Sequence, residues 1–402
     1  MINESMSQGE VRNTPISGAR VLSRAKDVVA ALRERIADAR NRLFANPDFH
    51  EWASSFPLTA PITRARAGAL FNMCTGFVHT QILLACVELG VFDLLEERPR
   101  RLDDIARATN LPSDAAERLV SGAVALGLLE RRRGAVIALG PQGAALLGNR
   151  SVFAMIRHHR LLYNDLSDPV ALLRGGRQDT RLSAYWAYAR SSAAGEGAGE
   201  DIEDAATAPY SELMAATQEF IARDVLEAFS FRGRRKLLDV GGGAGAFATA
   251  AALKAPDLSV AVFDLPAVAA RATARFADAG LGDRARAIGG DFFADTLPTG
   301  HDVISFVRVL HDHDDAAVAS LLASARKALA PGGVLLIAEP MAETPGARAM
   351  GDAYFGFYLW AMGSGRPRSF SMLKDVVQAA GFSETRSLST RQPLLTSVLV
   401  AK

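Results

Sequence analysis

The sequence predicts an α/β protein: a Rossmann-like doubly wound sheet closed by an antiparallel hairpin, preceded by a mainly α N-terminal module of winged-helix type. Three observations carry that prediction. From about Arg234, short apolar runs (KLLDV, LSVAVFD, RARAIGGD, HDVISFVRVL, PGGVLLIAEP) alternate with Ala-rich helical stretches, the texture of βαβ units around a parallel sheet. Two further strand-like runs, TRSLST and LLTSVLVAK, follow the last helix and are split by Arg391 to Pro393, as an edge hairpin would be. Upstream, residues 66–150 read in the order helix, turn, helix, hairpin.

Taken in order, residues 1–65 form an N-terminal arm. Residues 1 to about 20 lack periodicity and are expected to be disordered, whereas Lys26 to about Leu43 alternates charged and apolar residues at helical spacing. In the 66–150 module, Asp103 and Asp104 start a short helix and Ser113 or Asp114 caps the next. A Gly134 turn then separates two short strands. The second helix, AAERLVSGAVAL, offers one Arg on an Ala-rich apolar surface, so it suits dimerisation better than reading bases in a groove. Only Arg131 to Arg133 in the wing are basic. Residues 151–230 form a helical connector bearing Tyr163, Tyr185, Trp186 and Tyr188, with a linker-like break at SSAAGEGAGE. Residues 231–402 are the α/β domain.

Bulk composition limits the function classes. With 402 residues, 49% of them hydrophobic and 22% charged, the chain has ample core, and a net charge of +1 gives no global attraction for nucleic acid or anionic membranes. Cys74 and Cys86 have neither zinc nor disulfide-framework spacing and read as reduced core thiols. The polar start MINESMSQGEVRNT has no apolar h-region, which predicts no export signal and a cytoplasmic protein. The most apolar segment, Gly76 to Leu95, carries His79, Gln81, Glu88 and Asp93 and is expected to be a buried helix rather than a membrane span.

The loop DVGGGAGAF (Asp239 to Phe247) follows a strand and opens a helix. Gly241, Gly243 and Ala246 satisfy a dinucleotide-binding spacing, and Asp264 lies 21 residues beyond Gly243. Asp239 argues against a pyrophosphate, because a carboxylate at the strand end would repel it. It suits the ammonium group of a bound amino acid, whose carboxylate would meet the helix N-terminus. Together these favour S-adenosylmethionine. Asp264, with Leu265 beside it in VFDLP, is placed to accept from ribose hydroxyls; Asp291 and Phe292 in GGDFF supply an acceptor and an apolar wall for adenine.

In this order, DVGGGAG, VFDLP, GDFF, RVLHDHDD and PGGVLLIAEP resemble the class I S-adenosylmethionine-dependent O-methyltransferases with an N-terminal winged-helix dimerisation domain, over roughly residues 65–402. The segments from Trp52 to Cys86 and from Gly351 to Ser369 resemble bacterial hydroxycarotenoid methyltransferases. The resemblance implies a homodimer, S-adenosylmethionine as cofactor, a methyltransferase form of the sheet, and His311 as general base with Glu339, 28 residues on, orienting it. Two positions depart from the family pattern. His313 stands where relatives often have Trp, and Pro367 where plant relatives carry a second acid before an R-[ST] pair.

In the HDHDD cluster His311 and His313 could share one strand face only if the strand continued through them, so no metal is expected; Asp314 and Asp315 read as caps of the following helix. The aromatic run AYFGFYLWAMGSG lies where the family builds its acceptor pocket. Tyr354, Phe357, Trp360 and Met362, with Phe77, suit a small apolar hydroxylated substrate, most simply a 1-hydroxycarotenoid, and a lipophilic acceptor brings the expectation of loose contact with a membrane surface. Other readings are methylation of an aromatic polyketide, phenol or tetrapyrrole, a winged-helix metabolite-sensing regulator, and an NAD oxidoreductase.

Overall fold

The computed structural model describes residues 18–175, 180–184 and 217–402, with side chains from residue 27 onward. Tyr185, Trp186, Tyr188, the SSAAGEGAGE stretch and residues 1–17 lie outside the described residues. The chain divides into two compact units, Met1–Gln81 and Ile82–Lys402.

The first unit holds α1 (Gly18–Phe44), α2 (Pro47–Ser55) and most of α3 (Ala60–Glu88). α1 starts inside the stretch expected to lack structure. Asn46 caps α2, its side chain accepting from the backbone N–H groups of Asp48 and Phe49, and Pro47 takes the first helical position where its missing N–H costs nothing. Trp52 and Phe56 stack with ring centroids 5.4 Å apart, and the Arg66 guanidinium sits 4.4 Å from the Phe44 ring centroid.

α3 corrects the expectation of a buried helix over Gly76 to Leu95. Leu70, Phe71, Met73 and Phe77 are 63–80% exposed, and burial begins only with Leu84, Cys86 and Val87. Cys74 is accordingly exposed and only Cys86 is a core thiol. The described residues of the first unit leave this face of α3 uncovered, whereas residues from Ile82 onward pack into the second core. Among the described residues α3 is long and apolar enough, by length and composition, to cross a membrane. Gly90, in the left-handed region at φ 65°, then breaks the helix before α4 (Val91–Glu97).

The second unit opens with the expected helix–turn–helix and hairpin: β1 (Arg100–Arg101), α5 (Leu102–Thr109), α6 (Ser113–Ala125), β2 (Leu129–Arg132) and β3 (Val136–Leu139). The strands form a sheet in the order β1-β3-β2. Pro112, not Ser113 or Asp114, occupies the cap of α6, and no side chain closes it. Arg131 in the wing turns back to Glu117 and Ser121 on α6. After α7 (Pro141–Leu147), α8 (Ser151–Asp165) and α9 (Pro169–Leu173), residues 217–228 are helical.

The α/β sheet comprises β4 (Lys236–Val240), β5 (Ser259–Asp264), β6 (Ala285–Gly289), β7 (His301–Val307), β8 (Leu329–Glu339), β9 (Arg386–Leu388) and β10 (Ser397–Ala401). Its order is β6-β5-β4-β7-β8-β10-β9, parallel from β6 to β8, with β10 antiparallel to both β8 and β9. The helices α10 (Ala246–Lys254), α11 (Pro266–Asp278), α12 (Asp315–Ala328), α13 (Phe355–Met362) and α14 (Phe370–Ala379) complete the unit. Two apolar cores result. One includes Leu237, Val260 and Val303 with Phe247 and Phe276, and the other Leu238, Ala261 and Ile304 with Leu321 and Leu373. Alternate residues of each strand serve the two faces, as a doubly covered sheet requires. β5 and β6 lie to one side of β4 while β8 lies beyond β7, so the strand order reverses between β4 and β7. Ligands bind at the C-terminal strand ends beside such a switch point.

Candidate active site

Asp239, on β4, is fully buried, and Ser305 of neighbouring β7 donates its hydroxyl to Oδ1 at 2.6 Å. Oδ2 has no hydrogen-bond partner and lies under the glycine loop, where a Cβ on Gly242 would come within 2.6 Å of it. Burial pushes this carboxyl up to about 7, with the charge of Asp264 adding to the rise and the Ser305 hydrogen bond opposing it. A buried carboxylate oxygen without a donor fits an arriving ammonium group. That is the feature of S-adenosylmethionine for which Asp239 was singled out.

Gly241, Gly243 and Gly245 all have φ between 57° and 75°, so the loop turns through conformations that L side chains avoid. Gly241 is also closed sterically, since a Cβ there would sit 2.8 Å from Val309 and 3.6 Å from the Phe292 ring. Asp264 fixes the loop: its two oxygens accept from the N–H groups of Gly243 and Leu265, each at 2.8 Å. Each oxygen keeps a lone pair for a ribose hydroxyl. Asp291 accepts from Phe293 N–H at 2.8 Å, and Phe292 and Phe293 meet His313 edge to face at 5.7 and 5.0 Å between centroids. His313 thus joins the aromatic wall beside the glycine loop.

β7 ends at Val307, and Arg308, at φ 59°, turns the chain into a short 3-10 turn, Leu310–Asp312. His311 on this turn is 4% exposed. Its backbone N–H donates to Glu339 Oε2 at 3.0 Å, and its Nδ1 lies 3.4 Å from the same oxygen, close enough for ion pairing without hydrogen-bond geometry. Nε2 lies 3.2 Å from Asp312 Oδ1. Burial alone would depress the imidazole, but the carboxylates of Asp312 and Glu339 outweigh it and Arg308 opposes them, leaving His311 above its ordinary value. Asp312 is itself raised, chiefly by burial. The ring of Phe355 lies edge-on to the imidazole, with centroids 5.9 Å apart.

Two residues of this site were not singled out from the sequence. Asp312, taken for part of a turn, places a second carboxylate on the imidazole although Pro367 removes the acid expected there. Arg368, beside that proline, is fully buried and bonds to the carbonyls of Leu310 and His313 and to Asp315. Asp315 is therefore an ion-pair partner more than a cap. Asp314 holds the cap position of α12, but its carboxylate accepts from Gly365 N–H at 3.1 Å.

Tyr354 lies next to Phe355 and shares a 2.8 Å hydrogen bond with His159 Nε2; one turn on, Tyr358 makes the same bond to His158. Burial depresses both histidines, His158 to about 4, so both imidazoles are neutral near pH 7. These pairs join α8 to α13, and Trp360 adds a bond to Leu172 O at 3.1 Å. Of the residues expected to line the pocket, Tyr354 meets edge-on the Phe355 ring that itself faces His311. Trp360 packs against α9, Met362 is in the core at 5% exposure and Phe357 is 38% exposed. Phe77 is on α3 in the first unit.

A parallel sheet with this strand reversal, a glycine loop after its first strand and an antiparallel closing strand is the architecture of class I methyltransferases. The chain belongs to the O-methyltransferase family: residues 163–383 match the O-methyltransferase domain and residues 71–149 the O-methyltransferase dimerisation domain. It is 39% identical over 360 residues to demethylspheroidene O-methyltransferase of Cereibacter sphaeroides, covering 90% of this chain and 93% of that protein. It is also 39% identical over 361 residues to demethylspheroidene O-methyltransferase of Rhodobacter capsulatus, covering 90% and 88% respectively. Among solved structures, mitomycin 7-O-methyltransferase superposes with a TM-score of 0.71 at 25% identity, over 85% of this chain and 99% of that one.

Proposed function

We infer that this enzyme transfers a methyl group from S-adenosylmethionine to a hydroxyl of an apolar acceptor, a 1-hydroxycarotenoid of the demethylspheroidene type, with His311 as general base. The likeness to two demethylspheroidene O-methyltransferases supports the acceptor. The observation that carries the chemistry is the imidazole of His311 set between Glu339 and Asp312, at the strand ends that also present Asp239.

Bound S-adenosylmethionine supplies an electrophilic methyl on a sulfonium. Asp239 holds the ammonium, Gly241 and Gly243 let the backbone approach, Asp264 and Leu265 meet the ribose, and Asp291 and Phe292 meet the adenine. His311 takes the proton of the acceptor hydroxyl, assistance typically worth about 10²- to 10⁴-fold. Glu339 fixes the ring from the Nδ1 side, and both neighbouring carboxylates stabilise the imidazolium once it forms. Phe355, edge-on to the imidazole, keeps that side of it apolar, which strengthens these charge interactions. Holding the acceptor oxygen in line is the larger contribution of the pocket.

Residues 66–150 serve dimerisation in this reading, 151–230 contribute to the acceptor pocket, and 231–402 hold the cofactor. Loose contact with a membrane surface would bring a lipophilic acceptor within reach, and co-sedimentation with vesicles tests it. The function is tested by offering labelled S-adenosylmethionine with hydroxycarotenoids and with phenols. Transfer to the carotenoid is expected; transfer to phenols alone overturns the acceptor.

A further inference from the structure

The turn that carries His311 is held from one side by a single short segment. Four consecutive carbonyls, those of Leu310, His311, Asp312 and His313, each accept a hydrogen bond from residues 364–368. The donors, in that order, are Arg368 Nη1 at 2.9 Å, Arg366 N at 2.9 Å, Ser364 Oγ at 2.9 Å and Arg368 Nη2 at 2.7 Å. The approach is close enough that a Cβ on Gly365, whose φ is 80°, would lie 2.1 Å from His311 O. Arg368 spans the turn, its guanidinium reaching the residue before His311 and the second residue after it.

Its charge is balanced by Asp315, whose Oδ1 accepts from Nε at 2.9 Å, and its own carbonyl accepts from Ala342 N–H at 3.0 Å, just beyond β8. A fully buried guanidinium is costly unless every donor face is used. Here the fork is used on carbonyls that belong to the turn rather than on a substrate. A planar fork holding two carbonyls and a carboxylate at fixed directions is something a lysine ammonium cannot reproduce.

We propose that Arg368 is a positioning residue for methyl transfer: by clamping the carbonyls on both sides of His311 it sets where the imidazole stands relative to the acceptor hydroxyl. The proposal rests on the reading of His311 as general base. Loss of the clamp loosens the turn and with it the contacts of the imidazole to Asp312 and Glu339. Burial, which depresses the imidazole, and the charges of those two carboxylates and Arg308, which face it, all change when the turn loosens, so its titration moves.

The test compares Arg368→Lys, Ser364→Ala and His311→Ala with the wild-type enzyme. Melting temperature, calorimetric affinity for S-adenosylmethionine, kcat, acceptor KM and the pH dependence of kcat are measured on each. Arg368→Lys is expected to lower kcat about 10- to 100-fold, the scale of a small misplacement of reacting groups. Cofactor affinity should stay within about two-fold, and the acid limb of kcat should move along the pH axis. Ser364→Ala removes one of the four bonds from a part-exposed site and should show the same shift in smaller degree, which decides the matter if Arg368→Lys does not fold. An unchanged pH limb in a folded variant, with kcat falling only as the cofactor-binding fraction falls, overturns the proposal. Near-normal turnover in His311→Ala overturns the base itself, a separate outcome.

Discussion

Replacing Asp239 by Asn should make the ligand-free enzyme more stable in alkali while weakening its hold on S-adenosylmethionine. The carboxyl is raised from 3.8 to about 7, roughly 3 units, which corresponds to about 4 kcal/mol of stability lost once the pH exceeds the folded-state value. Below pH 3.8 both folded and unfolded chains carry the proton and nothing is lost; between 3.8 and about 7 only the unfolded chain ionises, so stability declines steadily. At pH 5.5 the loss is about 2 kcal/mol, and at pH 8.5 it has reached its plateau. Asn has no charge to bury and can still accept from Ser305. Its NH2 falls where Oδ2 has no partner, however, a cost of about 1–3 kcal/mol. The variant should therefore match the wild type near pH 5.5 and exceed it by about 1–3 kcal/mol at pH 8.5. Losing a charge-assisted bond of about 1.5–3 kcal/mol should weaken S-adenosylmethionine about 10- to 150-fold. Thermal unfolding at the two pH values and calorimetric titration measure both effects. A variant that is destabilised equally at both pH values, or that binds the cofactor normally, refutes the assignment of Asp239.

The base form of His311 is the active one and its titration is raised, so kcat should rise with pH along a limb centred above 6.5; His311→Ala should flatten that limb and lose most turnover while still binding cofactor. Asp312→Asn removes a carboxylate 3.2 Å from Nε2, so the limb should move to lower pH and the plateau should fall about ten-fold. Cys74 is exposed on the single chain but lies within the dimerisation-domain match, so a thiol reagent should find it faster in the dissociated monomer than in the dimer. Cys86, buried and pushed up to about 12, should react only after denaturation.

The parallel sheet was legible because strands covered on both faces write themselves as apolar runs, and the strand-end positions of Asp239, Asp264 and His311 were legible because each lies at or just beyond the end of such a run. The hairpin after the last helix was legible from two short runs around Pro393, and it pairs as β9 and β10. Asp312 and Arg368 were not. Their roles depend on residues 364–368 lying against residues 310–315, a contact between segments about fifty positions apart that no local pattern records. Burial of an arginine is invisible in the same way, because the sequence shows the charge and not the carbonyls waiting for it. α3 misled for the opposite reason: its apolar composition was read as evidence of cover, and among the described residues those up to Gln81 are largely uncovered. The same limit applies to the aromatic run, where composition does not distinguish Tyr354, bonded to His159, from Met362 in the core.

The order in which the sheet closes has a consequence for how the chain folds. β9 pairs only with β10, and the two join the sheet through β10 beside β8, which matches Ser397 to Glu339 across 58 residues. Until that late insertion, β8 is an edge whose open backbone carries Leu335, Leu336 and Ile337. Edges of this kind invite pairing with another chain, and contacts so distant in sequence form slowly. The interval between making β8 and placing β10 is thus when the nascent protein is most exposed to aggregation, and substitutions in residues 397–401 should lower the yield of soluble enzyme before they touch catalysis.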